Sequence, residues 1–187
     1  MKKITIATLF ILLLPITIHA QKSEAKLIFK DGKVLQGLGT LTNAKTIRFR
    51  QTKKDKKQIY TFEEVDTLKV TYEYGTDIYV KMGIVDEIEP EILKILKVTD
   101  HIAFYHKKFF VGSGVNGRYV IQFYLRRKGE QRAVYFGSNS LITKNFKKVA
   151  TTFFSDCEVV VQSIEDEKYN RQQLEEIIDL YEESCGQ

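Results

Sequence analysis

Three patterns of apolar and polar positions follow one another along this chain. Residues 4–18 are almost continuously apolar, with Lys2 and Lys3 ahead of them and His19-Ala20 closing the run before the polar Gln21-Lys22-Ser23. From Leu27 to Phe136, short apolar stretches alternate with polar positions at a period of two, the mark of half-buried strands. After a break at residues 137–140 the apolar spacing lengthens to that of amphipathic helices.

The first pattern has the order of a secretory signal peptide: a positive start, an apolar centre and a small residue at the cut. Cleavage after Ala20 leaves a chain that begins at Gln21. The apolar run falls short of the roughly 20 residues a membrane span needs, and no later segment is long and apolar enough to span. An uncleaved anchor is the rival reading. The expected location is periplasmic or extracellular, with no transmembrane segment after cleavage.

In the second pattern, Leu27-Ile28-Phe29 and Val34-Leu35 flank Asp31-Gly32, a hairpin turn signal because Gly accepts positive φ. Gly37 and Gly39 predict a bend or bulge. Thr46-Ile47-Arg48-Phe49-Arg50 alternates strictly, and the charged tip Lys53-Lys54-Asp55-Lys56-Lys57 separates it from Ile59-Tyr60-Thr61-Phe62. Glu63-Glu64-Val65-Asp66 reads as one helical turn before the strand 67–72. Further strands are expected at 77–81, 92–98, 101–106, 109–111, 118–125 and 133–136. Residues 118–125 are the most β-prone of the chain.

In the third pattern, Ile142, Phe146, Val149, Ala150 and Phe153 form one apolar stripe, with Lys144, Lys147 and Lys148 on the other side. Ser155-Asp156-Cys157-Glu158 matches a capping box and predicts a second, short helix. Asn170 is placed to cap a third helix with Gln173 at its third position. There Leu174, Ile177, Ile178 and Tyr181 are buried, Glu175, Glu176, Asp179, Glu182 and Glu183 face water, and Gly186 ends the helix.

Charge changes the picture because it is unevenly spread. The whole chain is +5, but residues 156–187 hold ten acidic and two basic residues. The β-rich part is correspondingly basic. Two readings follow: a surface for an anionic partner, or an acidic helical segment that docks on the basic body and offsets it. Only Cys157 and Cys185 occur, and in an exported chain two Cys read as one disulfide. Two antiparallel helices bring these two ends together. Few other ligand-type side chains remain for a zinc site, and no cofactor is indicated.

Candidate chemistry is sparse. Residues 112–117 satisfy G-x-G-x-x-G, but a dinucleotide site needs a helix after the glycines and here a β-prone run follows, so the run reads as a flexible hairpin loop. Asp100, His101 and His106 are the candidate catalytic residues. On one straight strand, histidines five apart point to opposite faces, and no nucleophile stands in a recognisable setting. Basic residues gather at strand ends: Lys53, Lys54, Lys56 and Lys57 at one tip, Lys107-Lys108 at another, Arg126, Arg127 and Lys128 at a third. With Tyr105, Phe109, Phe110, Phe123 and Tyr124 nearby, they suit an anionic glycan or lipid. They also suit charged protection of sheet edges.

Residues 27–37, 47–49 and 59–70, with their Asp-Gly hairpin, glycine-bearing second strand and single turn before the last strand, resemble small SH3-like or Sm-like barrels. That resemblance implies a binding or assembly module. The RNA-binding motif residues of Sm-like loops are missing, so nucleic acid is not an expected partner. The stretch from Asn145 through Cys157 to Ile178 is similar to uncharacterised secreted proteins of Bacteroidota, which implies export and no particular activity.

The expected fold is α+β. An antiparallel meander, or partly closed small barrel or barrels, covers residues 21–137 as one unit or as two (21–72 and 77–137). A disulfide-stapled helical segment, 138–187, packs on it. The expected function is a non-catalytic binding module of the periplasm or envelope. The alternatives are an envelope-surface protein that meets anionic lipid or glycan through basic hairpin tips, and an enzyme with a site near Asp100, His101 and His106. N-terminal sequencing of the protein recovered from the envelope or the medium is expected to begin at Gln21; an intact Met1 would replace cleavage by anchoring.

Overall fold

The structure, a computed structural model, describes residues 23–139 and 145–186. The expected leader at residues 1–20, Ile142 of the first helical stripe and Lys144 opposite it lie outside them. Within the described residues the fold is α+β. Ten strands, Glu24–Phe29 (β1), Val34–Thr42 (β2), Thr46–Arg50 (β3), Gln58–Thr61 (β4), Val65–Tyr72 (β5), Gly75–Ile84 (β6), Glu91–Val98 (β7), Ile102–Val111 (β8), Arg118–Arg127 (β9) and Arg132–Ser138 (β10), precede three helices, Phe146–Phe153 (α1), Glu158–Glu165 (α2) and Leu174–Cys185 (α3).

All ten strands join one sheet in the order β10-β9-β8-β7-β6-β5-β1-β2-β3-β4. The 21–72 and 77–137 stretches are therefore continuous through the β5–β6 hairpin, in which Tyr72 pairs with Gly75. Neighbours in that order are antiparallel, as the alternation predicts. One further pairing is parallel: Arg132 and Ala133 of β10 lie beside Gly83 and Ile84 of β6. This contact closes β6–β10 into a five-stranded ring. Arg132 locks the seam by donating from Nε to the Ile84 carbonyl at 3.0 Å and from Nη2 to the Glu87 carbonyl.

Three apolar clusters fill the molecule. Ala25, Leu27, Ile47, Phe49, Phe62, Val65, Leu68 and Val70 form the core under β1–β5. Ile84, Leu93, Ala103, Tyr105, Tyr124 and Ala133 fill the ring, two small alanines beside two large tyrosines. The third cluster lies outside the ring, where Ile102, Phe104, Leu125 and Phe136 meet Ala150, Phe154, Val160, Ile164, Leu174, Ile177, Ile178 and Tyr181 of the helices. Burial of each large apolar side chain contributes roughly 1.5–3 kcal/mol.

Local sequence explains most element ends. Gly32 takes φ +85° in the β1–β2 turn, and the Asp31 carboxylate accepts from the Lys33 amide at 2.9 Å. At Gly37 a Cβ would collide with the Arg50 carbonyl and the Phe49 ring, so the β2–β3 approach needs glycine. Three expectations change. The turn before β5 spans residues 62–64, and Val65 is already strand. The capping box at Ser155 does not form: Cys157 is the N-cap of α2 and no side chain caps it. Asp156 turns instead to Arg127, with Asp156 Oδ1 2.5 Å from Nη2. Glu182 does not face water; it binds Thr99 and His101 of the β body. Asn170 behaves as expected, accepting from the Gln172 amide at 2.9 Å while Gln173 reaches back to the Asn170 amide at 3.2 Å. This box opens a 3₁₀ turn, Arg171–Gln173, that runs directly into α3.

The acidic helical segment docks on the basic body. Lys97–Asp179, His101–Glu182 and Arg127–Asp156 pair across the boundary. Arg127 is the centre of this contact. Nη1 donates to the Tyr181 hydroxyl at 2.8 Å, Nη2 to the Phe153 carbonyl at 2.6 Å, and the guanidinium lies 4.9 and 5.1 Å from the Phe153 and Tyr181 ring centroids. Arg171 holds the other end, donating to the carbonyls of Phe136 at 3.1 Å and Ser138 at 2.7 Å.

Cys157 and Cys185 are bonded, and their Cα atoms lie 5.8 Å apart. The bridge ties the start of α2 to the end of α3 across 28 residues. In the chain-entropy argument a loop of that length stabilises by about 3–4 kcal/mol. Replacing both cysteines by serine is expected to lower the urea midpoint by about that free energy, read by tyrosine fluorescence. The loss should fall first on the helical signal in circular dichroism.

Candidate functional site

A polar concavity of the described residues lies where the sheet changes the side toward which it curls. Along β6, Tyr79 packs against the β1–β5 core while Val80 and Met82 pack inside the ring. The face that is interior under β1–β5 is thus exterior on the ring. A cleft of 580 Å³ opens along this reversal. Its floor is a row set by strand register: Tyr79 of β6 opposite Lys94 of β7, and Lys94 opposite His106 of β8. Asp77 sits two residues before Tyr79 on the same face. Tyr72 and Tyr74 of the β5–β6 turn form one wall, and Leu41 with Ala44 of the β2–β3 turn forms another. Lys107, Lys108 and Tyr119 stand at the far end.

Asp77 is only 7% exposed, an unusual depth for a carboxylate. It is held by Lys94, whose Nζ lies 2.5 Å away, and it accepts from the Tyr79 hydroxyl at 3.1 Å. Burial and then the Asp77 charge push the Tyr79 phenol well above its ordinary range. Burial followed by the neighbouring Tyr74 and Asp77 raises Tyr72 as well. His106 moves the other way. Burial, with Lys94 and Lys108 nearby and Asp77 opposing them, lowers its pKa to about 4, so it is neutral at physiological pH.

The walls are aromatic and the far end is cationic. Tyr72 and Tyr74 stack at 5.0 Å with an interplanar angle of 8°. Lys108 Nζ lies 4.4 Å from the centroid of the Tyr119 ring. Lys107 is matched by Glu91 at 2.6 Å, and Lys94 by Asp77. Lys108 makes no ion pair with any described carboxylate. The cleft therefore offers flat apolar faces, fixed hydroxyls and one uncompensated cation. That set suits a ligand with a planar or ring-shaped body and an anionic group.

The residues singled out in the sequence fall in different places. Asp100 is exposed in the β7–β8 turn, and His101 leaves that turn to bind Glu182 of α3, Nδ1 to Oε2 2.8 Å. Burial works against the Glu182 carboxylate, but hydrogen bonds from His101 and Thr99 more than offset it and hold its pKa below the usual value. His106 lies five residues further, about 16 Å along an extended chain, so the three residues do not converge. Lys53, Lys54, Lys56 and Lys57 are exposed in the β3–β4 loop. Arg126 donates to the Tyr105 hydroxyl and the Glu130 carbonyl, and Arg127 belongs to the helix dock. Only Lys128 of that tip points to solvent. Tyr105 and Tyr124 fill the ring rather than a cleft. The glycines 112–117 lead into β9, not into a helix. Sequence reasoning missed Asp77, Tyr79 and Lys94. The available signal was Asp77 itself, a carboxylate at an inward position of an alternating strand.

Among the described residues no group of three His, Cys, Asp or Glu side chains gathers to hold a metal, and no helix is long and apolar enough to cross a membrane. Compared with known protein families, curated proteins and solved structures, the chain matches none.

The half-buried His106 makes stability depend on pH. Its folded pKa lies below the ordinary 6.5, so the unfolded chain binds the proton more tightly. Its contribution is complete above pH 6.5 and is lost as pH falls toward about 4. Urea titrations at pH 7.0 and 5.0 are expected to show this slope, and His106→Gln should flatten it. Asp77→Asn, which leaves Lys94 without its partner, is expected to cost about 2–3 kcal/mol at pH 7.

Proposed function

We propose that this protein is an exported binding module without catalytic chemistry, and that its ligand seats in the cleft between β6, β7, β8 and the two overlying turns. The observation that carries this reading is the cleft's combination of an exposed Tyr74 stacked on the half-buried Tyr72 with one lysine that no described carboxylate pairs, over a floor whose own charges are already matched. Acid–base chemistry near neutrality calls for groups that titrate near neutrality. Here His106 is driven down to about 4 and the phenols of Tyr72 and Tyr79 are driven up. Such a floor holds its protons fixed and orients a ligand.

Export is supported by the leader pattern at residues 1–20 and by the Cys157–Cys185 bridge, since disulfides persist in oxidising compartments. The likeness to secreted proteins of Bacteroidota points the same way. The strand order β5-β1-β2-β3-β4, with a turn before β5, supports the likeness of the first unit to small SH3-like barrels, which mostly serve as binding or assembly modules.

The test is affinity capture from the envelope fraction with the tagged polypeptide from Gln21 onward, followed by identification of bound glycans, lipids and proteins. The cleft is expected to retain an anionic, ring-bearing ligand. Tyr74→Ser and Lys108→Glu, both at exposed positions, should each weaken retention about tenfold. Retention unchanged in the double variant would overturn the assignment of the cleft.

A further inference from the structure

The β8–β9 hairpin carries a feature that neither the cores nor the cleft uses. Between Asp100 and Glu130 the chain holds no Asp or Glu, yet it holds six Lys or Arg residues. At the far end of this cationic hairpin the side chains turn apolar. Phe110 pairs with Tyr119 and Val111 with Arg118 in the last two rungs. Beyond them, Gly112 at φ +99° and Gly114 at φ +53° fold the chain back through a 3₁₀ turn, Gly114–Asn116.

The tip has a defined shape and is bare. The Phe110 ring lies across Gly117, where any Cβ would collide with it, and meets Tyr119 edge-on at 5.3 Å. Even so packed, Phe110 is 50% exposed, Val111 45% and Tyr119 59%, and Val115 is wholly exposed at the apex. None of the four belongs to an apolar cluster of the fold. An apolar point of this kind, collared by Lys108 and Arg118, is amphipathic along the hairpin axis rather than across it. What sets this tip apart from single exposed apolar residues is the grouping of Phe110, Val111, Val115 and Tyr119 at one point, and grouped apolar exposure marks a contact surface.

We propose that the β8–β9 tip is a membrane-docking finger: Val115, Val111 and Phe110 enter the interfacial layer of an anionic phospholipid bilayer while the basic collar meets the phosphates. The two signals act together. Apolar burial alone at such a small tip gives marginal attachment, and lysine or arginine near an anionic surface adds to it. The hairpin's lack of carboxylates removes the repulsion that such a surface would otherwise impose. The finger shares Lys108 and Tyr119 with the end of the cleft, but its apex does not: Val111 and Val115 do not line the cleft, so variants at these two valines test the finger alone.

The chain contains no tryptophan, which makes Val115→Trp a single, background-free reporter. The polypeptide from Gln21 onward, which contains every described element, is mixed with phosphatidylcholine vesicles with and without phosphatidylglycerol. Expected are co-sedimentation with the anionic vesicles that falls as salt is raised, a blue shift of the introduced indole's emission on binding, and quenching by brominated acyl chains. The pair Val111→Asp and Val115→Asp should weaken binding at least about tenfold while thermal unfolding stays that of the unsubstituted protein. Indole emission that stays unshifted with vesicles present would overturn the proposal. So would binding that survives the paired aspartates but is lost on Lys53→Glu with Lys54→Glu, which would move the contact to the β3–β4 loop. Failure to bind anionic vesicles at low salt would overturn it as well.

Discussion

A strand has two edges, and β6 must serve three partners with them. One edge pairs with β7 over Tyr79 to Met82. The other is divided: Gly75 to Val80 pair with β5, and Gly83 and Ile84 pair with β10. The division is what lets a single sheet be both an open, curled layer and a closed ring. It also fixes which side chain faces which core. A slip of one residue in the β6 register would carry Tyr79 into the ring and expel Val80 from it. Ring closure, the position of the cleft and the alignment of Tyr79, Lys94 and His106 all depend on this one register.

Charge then determines how the rest attaches. The helices cover apolar side chains on the outside of the ring, but apolar contact has no direction. Direction comes from Arg127, whose planar fork is satisfied simultaneously by a phenol, a carbonyl and a carboxylate. Burial works against the Asp156 carboxylate, and the hydrogen bonds from Tyr181 and Arg127 outweigh it, so its pKa is held below the usual carboxylate value. The acidic character of the last segment is therefore partly spent on docking, through Asp156, Asp179 and Glu182. The opposite end of the β8–β9 hairpin carries no acidic residue of its own, and Lys108 there is paired with no described carboxylate.

Strands and helices were largely legible because each has one wet face and one dry face. Thr46–Arg50 alternates, and Leu174, Ile177, Ile178 and Tyr181 recur at helical spacing and are all buried. The bridge was legible because two cysteines allow one intramolecular pairing. Ring closure was not, since it rests on two residues of β10 meeting two of β6 almost fifty positions away, with no local signature. Ser155 misled because a motif describes neighbours in sequence, whereas Asp156 was claimed by an arginine on β9. The cleft was illegible for a related reason. Its floor and walls come from several strands and two turns, and only His106 carried a residue type that attracts notice. The glycine run 112–117 was correctly read as a hairpin connection, but periodicity says nothing about a valine left bare at its apex.

The two bridged cysteines lie within the last 31 residues, and neither touches the β1–β5 core. The bond thus constrains the helical segment directly and the β1–β5 layer only through it. What it governs is the lid over Ile102, Phe104, Leu125 and Phe136. While the thiols stay reduced, the helical segment opens more often and that greasy patch meets water. Sealing the pair keeps that patch covered, so one covalent bond at the far end of the chain guards an apolar surface that belongs to the strands.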